Sequence, residues 1–287
     1  MSRSAGYILS KTSSSGGEQV EMFERYRYSY VSGAVLDIHS AEQILQSIEK
    51  GLKIFEVEVD LGLRKTVVEA DKDAIYLEGA IIPVADIKAI REGFAYKVLG
   101  GSLRRLDVYS DGKYYKLKPT APGKAPTLEI NGIHMHRIHG VDPWTDSLAK
   151  VRAAGRVIKG ARVLDICTGL GYTAIAETLL GATSVTTIEV DRNVLAMASL
   201  NPWSRGLENP RIEIIVGDAF YVLDDLEKES FNVVIHDPPR FETAGELYSL
   251  EFYRKVYRVL RKGGVLVHYT GTPVSYTHLR AHETVLD

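Results

Sequence analysis

The chain has 287 residues, 45% of them hydrophobic and 25% charged, with a formal net charge of −2. That length accommodates about two domains with well-buried cores, and the composition is ordinary for a soluble globular protein. No run of about 18 apolar residues occurs, which excludes a transmembrane helix. The single cysteine, Cys167, excludes an intrachain disulfide framework and a multi-cysteine zinc site, and makes a reducing cytoplasm the simplest setting.

Met1 to Gly17 is rich in Ser and Gly and lacks an apolar centre, so it reads as disordered and not as a signal peptide. Ser40-Ala-Glu-Gln43 has the capping-box pattern and predicts a short helix that Gly51 ends. Alternating apolar and polar residues predict strands over 53–60, 64–69 and 74–78, then a short helix near 84–92. Two more strands, 103–109 and 113–118, flank the hairpin turn Ser110-Asp111-Gly112. Pro119, Pro122 and Pro126 punctuate a linker. Residues 18–130 therefore read as one small α+β domain, with substrate binding as its expected task.

The pattern changes after His139. Asp142-Pro143 places a capping acid before a proline at the first helical position, and predicts a helix to about Ala154 that Gly155 stops. From Ala161 strands and helices alternate, with strands expected at 162–167, 184–190, 211–216, 231–236 and 265–269. The intervening helices are expected at 172–180, 193–200 and 247–261. Val233-Val-Ile235 is apolar on consecutive positions, as expected where helices cover both faces of a parallel sheet. The fold class is thus α/β, a Rossmann-like doubly wound parallel sheet preceded by a small α+β domain.

Candidate chemistry lies at the carboxyl ends of those strands, where open α/β sheets bind ligands. Asp165-Ile-Cys-Thr168-Gly169-Leu-Gly171 ends the first strand and opens a helix. Its small residues admit a ligand close to the backbone, and the helix N-terminus offers free amides. Gly169, Gly171 and Ala174 also fit the dinucleotide fingerprint, but Asp165 stands where a dinucleotide site has an apolar residue. Glu189 ends the second strand and suits ribose hydroxyls. Gly217-Asp218-Ala219 follows the third, its acid suited to an adenine amine, and Asp237-Pro238-Pro239-Arg240 follows the fourth.

Leu164–Tyr172, Leu200–Ser204, His236–Phe241 and Ala244–Tyr248 together resemble class I S-adenosylmethionine-dependent methyltransferases, and more narrowly a group of predicted archaeal ones. The resemblance spans about 131–273. It implies S-adenosylmethionine as cofactor, with methionine-side contacts at Asp165, Gly169 and Gly171, ribose at Glu189 and adenine at Asp218; Thr168 and Ala219 complete the expected contact set. Asp237-Pro238-Pro239 resembles the motif by which amino-methyltransferases hold an exocyclic base amine, the acid and a proline carbonyl accepting its protons. Those enzymes place an aromatic residue next. Here Arg240 stands there, suited to a phosphate, with Phe241 following and Tyr248 a further acceptor-pocket residue.

Lys97 to Arg162 holds thirteen basic residues against five acidic ones, a footprint that suits RNA. The main expectation is therefore methyl transfer to an amine of an RNA base. Aminopropyl transfer, as in relatives of spermidine synthase, shares the fold; the missing second acid in the loop after Asp165 counts against it. Cofactor binding without turnover is the third reading. His134, His136 and His139 form a segment expected to face substrate or cover the cofactor, with no metal site expected, and Cys167 is expected to pack and not to react. Residues 274–287 resemble a translated sequencing adaptor, so His278 and His282 carry no functional weight. On that reading the sheet lacks its final strands and the fifth is an exposed edge.

Overall fold

The computed structural model describes residues 23–239 and 241–269. Arg240 and the adaptor-like tail lie outside the described residues, as do residues 1–22. Asp142 accepts a hydrogen bond from the Thr145 amide at 3.2 Å and opens α1 (Pro143–Ala153). Gly155, at φ 68°, turns the chain out of it. Then follow β1 (Arg162–Ile166), α2 (Tyr172–Leu179), β2 (Ser184–Glu189), α3 (Arg192–Leu200), β3 (Ile212–Val216), α4 (Ala219–Asp225), β4 (Phe231–His236), α5 (Leu250–Val259) and β5 (Leu260–His268). The sheet runs β3-β2-β1-β4-β5 with every neighbour parallel. This is the doubly wound order expected, with β1 at its centre and chain reversal beside it.

Alternation along β1 shares the sheet between two cores. Val163 packs with Ile235, Val185 and Ile214 on one face, while Leu164 and Ile166 pack with Val234, Ile188 and Ile215 on the other. Both faces are covered, which is why these strands are apolar on consecutive positions. The helix α4 follows Asp218 without a predicted counterpart, because its seven residues are too few to show a period. β5 begins five residues earlier than expected, since Gly263 and Gly264 interrupt its apolar pattern.

Before residue 131 the chain forms small antiparallel sheets. Ile54–Val59, Arg64–Ala70, Ala74–Leu77 and Ala80–Pro83 make a four-stranded meander, packed on the helix Ile38–Glu49. That helix starts earlier than the capping box predicts, because Asp37 accepts from the Ser40 amide at 3.0 Å and takes the capping role. The strand expected over 103–109 is divided: Ser102–Arg105 pairs with Tyr96–Leu99, whereas Asp107–Ser110 pairs with Lys113–Lys118. Leu106, buried between the sheets, is where the chain changes partners. The expected hairpin turn is present, with Asp111 and Gly112 both at positive φ.

The two parts are joined more closely than a linker implies. Glu24–Tyr26, assigned by sequence to the first domain, pairs antiparallel with β3 and extends the second part's sheet. Leu61, Leu106, Tyr115, Leu117 and Leu128 belong to the same core as Val163, Ala174 and Leu195. At the junction Lys97 is fully buried; its ammonium donates to Tyr30 Oη and to the Leu200 carbonyl, each at 3.0 Å, the latter at the electronegative C-terminus of α3.

Burial brings the Lys97 pKa down from 10.5 to about 8. The unfolded chain therefore holds this proton to higher pH than the native one, and stability gains a rising component between about pH 8 and pH 10. Lys97→Met should remove that component, read as the difference between parent and variant unfolding midpoints across the window. Parallel pH profiles would contradict it.

Candidate functional site at the strand ends

Asp165 occupies the sheet's centre, opposite Thr187 on β2 and Ile235 on β4. It is fully buried. Thr187 Oγ1 donates to Asp165 Oδ2 at 2.6 Å, and Thr168 Oγ1 lies 2.7 Å from Thr187 Oγ1. With Thr187 committed as donor to the carboxylate, Thr168 is the donor of that second bond. Asp165 Oδ1 has no hydrogen-bond partner. Burial pushes the carboxyl up to about 7, against the pull of its threonine bonds and with the charges of Asp237 and Glu189 adding to the rise. A buried carboxylate oxygen without a partner is costly unless something cationic arrives to meet it.

The loop after β1 is held from both sides. Cys167 and Thr168 amides both donate to the Ile188 carbonyl, at 3.1 and 3.0 Å. The Gly169 amide donates to Glu189 Oε2 at 2.9 Å, and the Asp191 amide to Glu189 Oε1 at 3.0 Å. Glu189 thus clamps the loop while each oxygen keeps a second lone pair for ribose hydroxyls. Beside it, Val190 is 67% exposed and borders a cleft of about 350 Å³ between α3 and the hairpin at Lys113 and Tyr115. Asp218 caps α4, its Oδ1 accepting from the Phe220 amide at 2.9 Å.

Several expected contacts are reassigned. Gly171 sits at φ 78°, and a Cβ there would stand 2.5 Å from Leu207, so packing under the turn Pro202–Glu208 requires this glycine. Around Gly169 the nearest atom to a Cβ would be His136 Nε2 at 4.0 Å, so this glycine is the one with open space over it. Thr168 faces inward to Thr187, and Ala219 is buried in the core behind β3; neither presents a side chain to a ligand. Cys167 packs against that same core, and burial with four surrounding carboxylates holds its thiol well above its ordinary value, as a packing residue requires.

On the acceptor side the expected partners are already engaged. Lys150 on α1 donates to both Asp237 oxygens, at 2.9 and 2.7 Å. The Pro239 carbonyl accepts from Tyr248 Oη at 2.8 Å. Pro238 is buried, and Phe241, 63% exposed, meets the Tyr248 ring edge-on at 5.5 Å. The Asp-Pro-Pro turn therefore presents a paired carboxylate, not a free acceptor set. Arg240 lies outside the described residues.

Sequence reasoning missed Lys150 and Thr187, because each acts across a long separation; His136 lies in the segment expected to face substrate or cover the cofactor. His136 Nδ1 contacts Thr127 Oγ1 at 3.1 Å and its ring lies 5.2 Å from Tyr172; burial, with Lys150 adding, brings it down to about 3. It covers the glycine loop as a neutral ring. The basic stretch is largely spent internally: Lys97 is buried, and Arg105, Lys113, Lys116, Lys118, Lys124, Arg137 and Lys150 all pair with carboxylates.

Strand order and strand-end acids together define a Rossmann-type unit of the architecture that methyltransferases and spermidine synthases share. Residues 157–284 match the family model "Spermine/spermidine synthase domain". The chain is 50% identical over 182 residues to "Uncharacterized protein MJ1233" of Methanocaldococcus jannaschii, covering 63% of this chain and 61% of that one. It is 33% identical over 105 residues to a polyamine aminopropyltransferase of Aeropyrum pernix, covering 34% and 32%. A third relative is a putative ribosomal RNA large subunit methyltransferase (MJ1649) of M. jannaschii, 36% identical over 85 residues, covering 29% and 22%. The chain spans less than two thirds of the length of each of these relatives.

These findings correct the expectation of methyl transfer to an RNA base. The matching family model and the aminopropyltransferase relatives favour the alternative reading. Among the described residues no helix is long and apolar enough to cross a membrane.

Because Asp165 is raised from 3.8 to about 7, the native chain binds this proton more tightly than the unfolded one. Its contribution to stability therefore falls as pH rises from about 4 to 7. Asp165→Asn should remove that fall and unfold at a higher temperature than the parent at pH 8, with the gap closing towards pH 4. Thermal unfolding at four pH values checks it; a variant less stable than the parent at pH 8 would contradict the assignment.

Proposed function

We propose that the chain transfers the aminopropyl group of a decarboxylated S-adenosylmethionine-type donor to a primary amine. The observation that carries this is the convergence of Asp165, Glu189, Asp218 and Asp237 around Cys167. Such a donor carries a sulfonium and an ammonium without a carboxylate, and a site with four acids favours it over a donor bearing a negative charge. The family model over 157–284 supports the same class.

The second loop acid sought in the sequence is absent because Leu170 is a fully buried core residue. The unpartnered Oδ1 of Asp165 is the carboxylate available to the donor's ammonium instead. Glu189 suits the ribose hydroxyls, and Asp218 Oδ2 remains for the adenine amine. The donor supplies a carbon made electrophilic by the sulfonium. The acceptor nitrogen must arrive there as a neutral amine, so its ammonium first gives a proton to Asp237. Its lone pair then forms the C–N bond as the C–S bond breaks, and the sulfur keeps the electron pair as a thioether. Positioning is most of the catalysis in such a displacement.

The part before residue 131 serves as a wall of this site. Lys113 supports this by reaching Asp191 at 3.1 Å, and Thr127 does so by contacting the His136 ring that stands over Gly169.

Incubation with decarboxylated donor and a panel of mono-, di- and polyamines should release 5′-methylthioadenosine, detected by chromatography. Asp237→Asn should lower kcat by about 10²-fold or more, the range for loss of an acid–base group. Release of S-adenosylhomocysteine from S-adenosylmethionine, with no methylthioadenosine under any amine, would overturn the proposal.

A further inference from the structure

Lys150 is not used by the reaction above, yet among the described residues it is the cation paired with Asp237 on the acceptor side. It projects from the last turn of α1 and crosses to the end of β4. Its ammonium lies 2.9 and 2.7 Å from the two Asp237 oxygens, 2.9 Å from Asp146 Oδ2 and 4.1 Å from the centre of the Tyr269 ring. An ammonium has three donors, and these three bonds use all of them. The side chain is 13% exposed, Asp146 11% and Asp237 20%, so the triad is screened little by solvent.

We infer that Lys150 is a positioning residue: it keeps Asp237 charged and fixed in orientation, and an acceptor ammonium takes over one of its two bonds to that carboxylate. The inference rests on the reading of Asp237 as the acceptor's proton acceptor. Two acids facing one lysine leave the triad with a net negative charge, which an incoming ammonium neutralises. Without Lys150, a carboxylate at this depth would take up a proton and cease to be a base. Arg137, 54% exposed and 3.9 Å from Asp146, is screened by solvent and does not cancel the triad's net charge. The other groups facing the triad are Asp165 on β1, the neutral His136 ring and Tyr269 beyond β5. Burial raises Asp237 and Lys150 opposes the rise, in agreement with this geometry.

The test uses the full chain as Lys150→Met, Lys150→Arg and Asp146→Asn, with two readouts. One is carbon-13 titration of the Asp237 carboxyl, identified by its loss in Asp237→Asn; the other is the pH profile of kcat/KM for amine. Lys150→Met should raise the Asp237 midpoint by about 1–3 pH units, the range an adjacent cation accounts for, and move the acid limb of the profile with it. Lys150→Arg should hold both near the parent. Asp146→Asn should lower the midpoint, because Lys150 then serves Asp237 alone, and this arm stands even if Lys150→Met fails to fold. An Asp237 midpoint that none of the three variants moves overturns the inference. Midpoints that move as stated in a protein that turns over no amine would uphold the clamp and sink the proposed function instead.

Discussion

The structure is organised around a fully buried carboxyl in the central strand, whose burial favours the protonated form unless a cation meets it. Asp165 lies in the central strand, with parallel neighbours on both sides and a core on each face, and one of its oxygens has nothing to bond. Thr187 of the adjacent strand serves its other oxygen and is itself bonded by Thr168 of the glycine loop, so the loop's conformation and the acid's orientation are set together. Glu189 then ties the same loop to the start of α3. A ligand bringing positive charge to this point relieves a strain that the folded chain carries without it.

The same logic extends outward by charge. Asp237 is the next acid along the sheet, and the protein neutralises it with a lysine from the helix that enters the Rossmann unit. Asp165 keeps an oxygen without a hydrogen-bond partner, whereas Asp237 is held by Lys150 through both oxygens. The two carboxylates are therefore not equivalent, although sequence spacing alone presents both as strand-end acids. The small antiparallel part is bound into this arrangement through a shared core, an added edge strand and the buried Lys97, and its Thr127 contacts the His136 ring over Gly169.

Much of this was legible in the sequence, and for identifiable reasons. β4 is buried on both faces and reads as an apolar run over Val233–Ile235; Asp142-Pro143 and Gly155 mark α1 by capping chemistry that needs no tertiary context. Strand-end acids are legible because the doubly wound order fixes where strand ends must gather. What stayed hidden depends on contacts between distant residues. Nothing local marks Lys150 as the partner of Asp237, Leu207 as the reason for Gly171, or Glu24–Tyr26 as a strand of the second sheet, since three residues carry no period. Asp37 displaced the expected cap because a side chain that reaches the Ser40 amide outweighs a motif match. Charge counted along a chain likewise says nothing about which acids the fold brings opposite, as Lys113 beside Asp191 illustrates.

The central claim is that the strand-end acids hold a nucleoside sulfonium by its positive charge. The most direct measurement is calorimetric binding of decarboxylated S-adenosylmethionine and of S-adenosylmethionine at pH 8, to the parent chain and to Asp165→Asn. The account predicts that the decarboxylated ligand binds the parent tighter by about tenfold or more, on the order of 1.4 kcal/mol, and that Asp165→Asn erases most of that difference. Equal or tighter binding of the carboxylated ligand, unchanged in the variant, would contradict it.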